Sequence, residues 1–79
     1  MGKRYPSWNA RRLDKRLLEL DCEPIRQTGS HKHYSNPFRP EQLITFSEHP
    51  GDIPRGSIED IIKDLGLTRE QFYNPNFKP

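Results

Sequence analysis

The sequence has only one cysteine and no long hydrophobic run, and both shortages restrict what the chain can be. A lone cysteine cannot form an internal disulfide, which favours a reducing compartment. No apolar stretch approaches the roughly 20 residues that a transmembrane helix needs, and the N-terminus lacks the apolar core of a signal peptide. We therefore expect a soluble, cytoplasmic protein with no membrane partner.

Hydrophobic residues are also scarce, at 30% of the 79 residues, and charged residues make up another 30%. This composition predicts one small domain over 1–79 with a thin core that a binding partner can support. The basic lead at 1–6 and the tail at 74–79 are expected to be loose. The formal net charge of +2 is compatible with a nucleic-acid partner but does not require one.

The spacing of apolar residues predicts two amphipathic helices. The first is expected over about 8–21, with Ser7 as its N-cap. Its apolar stripe consists of Ala10, Leu13, Leu17 and Leu20. The second is expected to begin at Ser57, with Asp60 completing a capping box, and to stop at Gly66. Its apolar stripe consists of Ile58, Ile61, Ile62 and Leu65.

Three short segments between these helices have strand character, at 22–27, 31–35 and about 42–47. Their short connections predict an antiparallel meander. The fold class is thus α+β: a helix, a three-stranded antiparallel sheet and a second helix, with Thr68 and Gln71 capping a last short turn. Both helices are expected to cover one face of the sheet and to leave the other open to solvent or a ligand.

The most informative stretch begins with the turn-forming segment 28–30 and continues into the second strand. Side chains alternate along a strand, so His31 and His33 share one face while Lys32 and Tyr34 share the other. Histidine titrates near neutral pH and serves as an acid, a base or a metal ligand. We expect His31 and His33 on or beside the open face of the sheet.

These residues alone leave other functions open. One is a zinc site, although the spacing of its ligands matches no common structural site. Its ligands would be Cys22, His31, His33 and His49. Another is a non-catalytic RNA-binding module that uses the open face and the basic first helix. The basic residues of that helix are Arg11, Arg12, Lys15 and Arg16. His49 precedes Pro-Gly, so its alternative interpretation is a purely structural role in forming a turn.

Several segments together resemble the HicA family of bacterial toxins, over most of the chain from the first helix to about Phe72. The Gly-Ser-His element is weak alone, but its combination with the downstream segments at this spacing is more specific. The segments that carry the resemblance are Gly29-Ser30-His31, His49-Pro50-Gly51, Ile53-Pro54-Arg55-Gly56-Ser57-Ile58 and Leu65-Gly66-Leu67.

The resemblance implies a fold similar to the double-stranded RNA-binding domain and a ribonuclease that cleaves mRNA without a metal or other cofactor. It also implies inhibition by a HicB-like antitoxin. The family's catalytic histidine falls on His31, and Gly29 belongs to the same motif. The chemistry also needs phosphate contacts and a proton donor. Further candidates for these roles are Arg26, Ser30, Lys32, His33 and, less directly, Arg55.

Overall fold

The helices and strands follow one another in the predicted order. A computed structural model describes residues 7–79, so the expected basic lead at 1–6 lies outside the described residues. The elements are α1 (Ala10–Glu19), β1 (Pro24–Thr28), β2 (His31–Tyr34), β3 (Ile44–Ser47), α2 (Arg55–Leu65) and α3 (Arg69–Tyr73). This confirms the predicted α+β class. Among residues 7–79, none of the helices is long and apolar enough to cross a membrane.

The three strands form one antiparallel sheet in the order β1-β2-β3. Gly29 and Ser30 connect β1 to β2, and Gly29 has a φ of 60°, which glycine adopts at little steric cost. The β1–β2 register shifts between Pro24 and Arg26. Proline has no backbone N–H to donate to a ladder, so an irregular start of this edge strand is expected. The central strand β2 carries the candidate histidines.

The helices cover the face of the sheet that bears Tyr34, whose side chain is fully buried. The Tyr34 hydroxyl donates a hydrogen bond to the Asp14 carboxylate on α1, and its ring stacks on that of Phe46 at 5.7 Å. Burial first, and then this hydrogen bond, raise the pKa of Tyr34 well above its ordinary value. The predicted helical stripes are buried against this face, which confirms them. The stripe of α1 and its C-cap consists of Ala10, Leu13, Leu17 and Leu20, and the stripe of α2 consists of Ile58, Ile61, Ile62 and Leu65.

Both long helices begin differently from the prediction. The N-cap of α1 is Asn9 rather than Ser7, and its side chain accepts a hydrogen bond from the Arg12 N–H at 2.8 Å. The predicted capping box at Ser57 is wrong, because α2 already begins at Arg55 with Pro54 as its N-cap. Proline presets a φ suited to a helix start, so the helix forms two residues earlier. The predicted cap of α3, Thr68 with Gln71, is confirmed.

Arg16 was expected on the solvent-facing side of α1, but it is buried, with 5% of its surface exposed. Its Nε donates to the Phe72 carbonyl at 2.7 Å, and its Nη2 donates to the Gln71 and Asn74 carbonyls at 2.9 Å. A guanidinium has several donors in one plane, which suits it to the unpaired carbonyls at a helix C-terminus. Arg16 therefore joins α3 to α1.

The tail at 74–79 was expected to have little to bury, and all of its residues except Phe77 are exposed. The ring of Phe77 is half-buried and stacks on that of Phe38 at a centroid distance of 6.4 Å. The Phe77 carbonyl also accepts a hydrogen bond from Arg16 Nη2 at 3.2 Å. No local sequence pattern predicts these contacts, because their partners lie far away along the chain.

Replacing Arg16 by methionine tests how much this junction contributes to stability. The apolar stem is kept, but several carbonyls lose a charged donor, so we expect a loss of about 2–3 kcal/mol in the free energy of unfolding. Urea denaturation followed by circular dichroism measures it. Arg11→Met is the matched control on the exposed side of the same helix, with an expected change of no more than about 0.5 kcal/mol. Equal losses in the two variants contradict the assignment.

Candidate active site

His31 and His33 lie on the face of the sheet that the helices leave uncovered, as predicted. Their neighbours Lys32 and Tyr34 face the helices, as the pleat of β2 requires. The strand register then sets which side chains surround the two histidines. Their cross-strand neighbours are Arg26, Thr28, Thr45 and Ser47. The open face is therefore polar.

The two histidines differ in their surroundings. His33 is half-buried, and its Nδ1 lies 3.0 Å from the hydroxyl oxygen of Thr45. His31 is exposed, and its ring makes no hydrogen bond with residues 7–79. An imidazole without an internal partner can exchange its proton directly with a ligand. His31 is thus the more available acid or base.

A cleft of about 350 Å³ opens between β3 and α2, next to His31. His49 lines the same cleft, so the structure brings together two histidines that lie far apart in sequence. The Pro-Gly that follows His49 favoured a turn-forming role for this residue, and no sequence pattern predicted the cleft. Its other polar lining residues are Thr45, Ser47, Asp52, Ser57, Asp60 and Asp64. Ser57, Asp60 and Asp64 are spaced at i, i+3 and i+7, and this spacing was the only sequence signal that they share a helix face.

The two predicted cations of this region lie on opposite faces. The Lys32 ammonium faces the helices, 3.6 Å from Asp14 and 3.9 Å from Glu48. The structure therefore does not bring Lys32 together with His31. Arg26 is exposed on the open face opposite His33 and forms no ion pair with residues 7–79. Of these two candidates, Arg26 is the one beside the histidines.

The predicted turn residues fix the position at which β2 begins. The Gly29 carbonyl accepts a hydrogen bond from the Gln27 side chain at 3.0 Å. The Ser30 carbonyl accepts one from the Glu48 N–H at 2.6 Å. These bonds tie the turn to both neighbouring strands. The hydrogen bonds of Gly29 and Ser30 thereby position the backbone directly before His31.

The structure does not assemble the zinc site that the sequence left open. Within residues 7–79, no group of three or more His, Cys, Asp or Glu side chains is arranged to hold a metal ion. The Cys22 thiol is buried, and burial together with the nearby Asp21 carboxylate raises its pKa to about 11. A cysteine binds a metal ion as the thiolate, so an environment that keeps the Cys22 thiol protonated is unfavourable for metal binding.

Comparison with known protein families gives one match. A family model described as the HicA toxin of bacterial toxin-antitoxin matches residues 10–67. This range includes α1, the whole sheet, α2 and all of the residues that line the cleft. No curated protein matches the chain.

The three histidines are expected to differ in their reaction with diethyl pyrocarbonate, which acylates accessible unprotonated imidazole nitrogens. His31 and His49 are exposed and react quickly, whereas His33 reacts more slowly because it is half-buried and bonded to Thr45. Mass spectrometry of peptides from briefly treated native protein measures the three rates. Thr45→Val removes the hydroxyl and is expected to speed the reaction of His33 relative to His49. Equal rates for all three in the native protein contradict this geometry.

Proposed function

The chain belongs to the HicA family of bacterial toxin–antitoxin toxins, and from this membership we propose that it is an endoribonuclease that cleaves mRNA in the cytoplasm without a metal ion. The observation that carries the proposal is that His31 lies at the edge of the cleft, exposed and without a hydrogen bond to any of residues 7–79. The uncovered sheet face gives an extended substrate access to this residue. Arg26 on the same face supplies a positive charge for its phosphates.

RNA carries its own nucleophile, the 2′-hydroxyl, so the protein has only to move protons and stabilise charge. In the proposed reaction, His31 accepts the proton of the 2′-hydroxyl while its oxygen attacks the adjacent phosphorus. The bond from phosphorus to the 5′-oxygen breaks, and that oxygen leaves with a proton. The products are a 2′,3′-cyclic phosphate and a 5′-hydroxyl.

The leaving 5′-oxygen needs a proton donor, and we assign this role to His49. Its support is that His49 and His31 line the same cleft. His33, the partner considered from the sequence, is less suitable because its Nδ1 is engaged with Thr45. Imidazole is the side chain that can serve as either an acid or a base around neutral pH, as an acid and base pair requires.

The first turn of α2 supports phosphate binding at the same end of the cleft. Pro54 and Ser57 border the cleft, and no side chain of residues 7–79 caps this helix start. The Ser57 N–H already donates to the Pro54 carbonyl at 3.0 Å, so the support comes from the partial positive charge that a helix N-terminus carries. The helix N-terminus favours the scissile phosphate at this end, and the Asp52 carboxylate, which also lines the cleft, opposes it.

His31→Ala is expected to lower the cleavage rate by about a hundredfold or more, the usual effect of removing a general acid or base. The measurement is cleavage of a labelled RNA in EDTA, with analysis of the products for a cyclic or 3′-phosphate end. Circular dichroism verifies that the variant is folded. His33→Ala is the matched control and is expected to retain more activity, because His33 does not line the cleft.

Undiminished cleavage by a folded His31→Ala protein contradicts the assignment of His31. If the wild-type protein binds RNA but leaves it intact, the result supports the alternative of a non-catalytic RNA-binding module.

The proposed partner is a HicB-like antitoxin that covers the face bearing His31. A cell has to restrain an enzyme that cuts mRNA, and a small domain has few surfaces from which its site can be blocked. An acidic antitoxin surface would compete with RNA phosphates for Arg26. Binding to the native state alone also raises the stability of a domain with a thin core.

Titration with the cognate antitoxin is expected to abolish RNA binding and cleavage together. In the complex, the reaction of His31 with diethyl pyrocarbonate is expected to slow strongly, because the partner excludes the reagent. The free protein at the same concentration serves as the control. If cleavage stops while His31 stays as reactive as in the free protein, the antitoxin acts from a distance and occlusion is wrong.

A further inference from the structure

The cleft beside His31 differs chemically from one end to the other. Its α2 wall begins at the uncapped helix N-terminus and continues past Ser57 to the carboxylates of Asp60 and Asp64. The rest of the lining includes apolar side chains that give the cleft a hydrophobic surface. They are Phe46, Ile53, Pro54 and Ile61. A pocket with apolar walls and a few directed polar groups is typical of a binding site.

The stability of α2 does not explain the two carboxylates. Asp60 and Asp64 are four residues apart, so their like charges repel each other along the helix. Asp64 also lies in the last turn of α2, where a negative charge opposes the helix dipole. Neither carboxylate forms an ion pair with residues 7–79. The pair costs the helix stability, which favours a role outside the fold.

Resting on the ribonuclease activity proposed above, we propose that this cleft binds a guanine base of the RNA next to the bond that is cut. Asp60 and Asp64 repel a phosphate from their part of the cleft. A neutral ring that donates hydrogen bonds is accepted beside these two carboxylates, and it packs against the apolar lining. Unstacked bases in single-stranded RNA are recognised in this manner, through stacking and through their hydrogen-bonding edges.

Guanine fits a carboxylate better than the other bases do. An ionised carboxylate only accepts hydrogen bonds, through two oxygens. Guanine presents the N1–H and N2–H donors side by side on one edge, which matches those two oxygens. Adenine and cytosine present one amino group beside an acceptor, and uracil presents one donor between two acceptors. The acceptors of these three bases face the carboxylate unfavourably.

The first test uses oligouridine substrates that contain one guanine, adenine, cytosine or inosine at a single position. Wild-type protein is expected to cut next to guanine about tenfold faster than next to adenine, as a good bidentate contact to a base provides. Inosine keeps the N1–H but lacks the amino group, so an intermediate rate is expected. Equal rates for guanine and adenine overturn the proposal.

The second test removes the negative charges without a change in side-chain shape. Asp60→Asn and Asp64→Asn are each expected to reduce the preference for guanine several-fold, since an amide offers a donor as well as an acceptor. Glu70→Gln is the matched control, because it makes the same change of charge on α3, away from the cleft. It is expected to keep the preference. An unchanged preference in both aspartate variants shows that the carboxylates do not recognise guanine and overturns the proposal.

A binding measurement separates this inference from the proposed activity. Folded His31→Ala protein is expected to bind the guanine-containing RNA more tightly than the adenine-containing one, as followed by fluorescence anisotropy. If that preference is seen while the wild-type protein cuts no RNA, the proposed ribonuclease activity fails and the guanine pocket stands as a binding site. If RNA is cut but neither cleavage nor binding depends on the base, the activity stands and the pocket proposal is wrong.

Discussion

The burial of Tyr34 is the constraint on which the arrangement of the site depends. Its ring packs in the core and its hydroxyl bonds to Asp14, so β2 has only one favourable register. A slip of one residue would expose that ring and move His33 into the core. The same interaction that joins the sheet to α1 therefore turns His31 towards solvent. Core packing and the orientation of the histidines both follow from the alternation of side chains along β2.

How far the sequence predicts this structure depends on the range of the interactions. The alternation of β2 and the stripe of α2 are local patterns with periods of two and about 3.6 residues, and both were predicted correctly. The cleft was not, because His49 lies in an irregular segment whose path depends on distant contacts. The Ile53 N–H donates to the Trp8 carbonyl at 2.6 Å, and Asn9 pairs with Asp52. No local pattern encodes these contacts, so the position of His49 was beyond sequence reasoning.

The small positive net charge of the chain is a poor guide to its electrostatic surface. Arg16 is buried among carbonyls, Lys32 is held by two carboxylates, and Arg69 pairs with Glu59 at 2.6 Å. These cations serve the fold, and solvent-exposed pairs of this kind add little stability. The charge that meets a ligand is instead set by local placement. Arg26 lies on the histidine face at β1, whereas Asp52, Asp60 and Asp64 line the cleft between β3 and α2.

The last part of the chain strengthens the fold without entering the site. The family match ends at residue 67, whereas α3 and the tail follow it and pack on α1 through Arg16 and the Trp8–Phe72 ring contact at 5.1 Å. In the described chain, the lining of the cleft ends at Asp64. The added segment thus increases buried apolar area on the helical side of a domain whose hydrophobic content is low. The open face of the sheet contributes nothing to that core, so its side chains can be polar. Core packing does not constrain their identity, and they are available to bind a ligand.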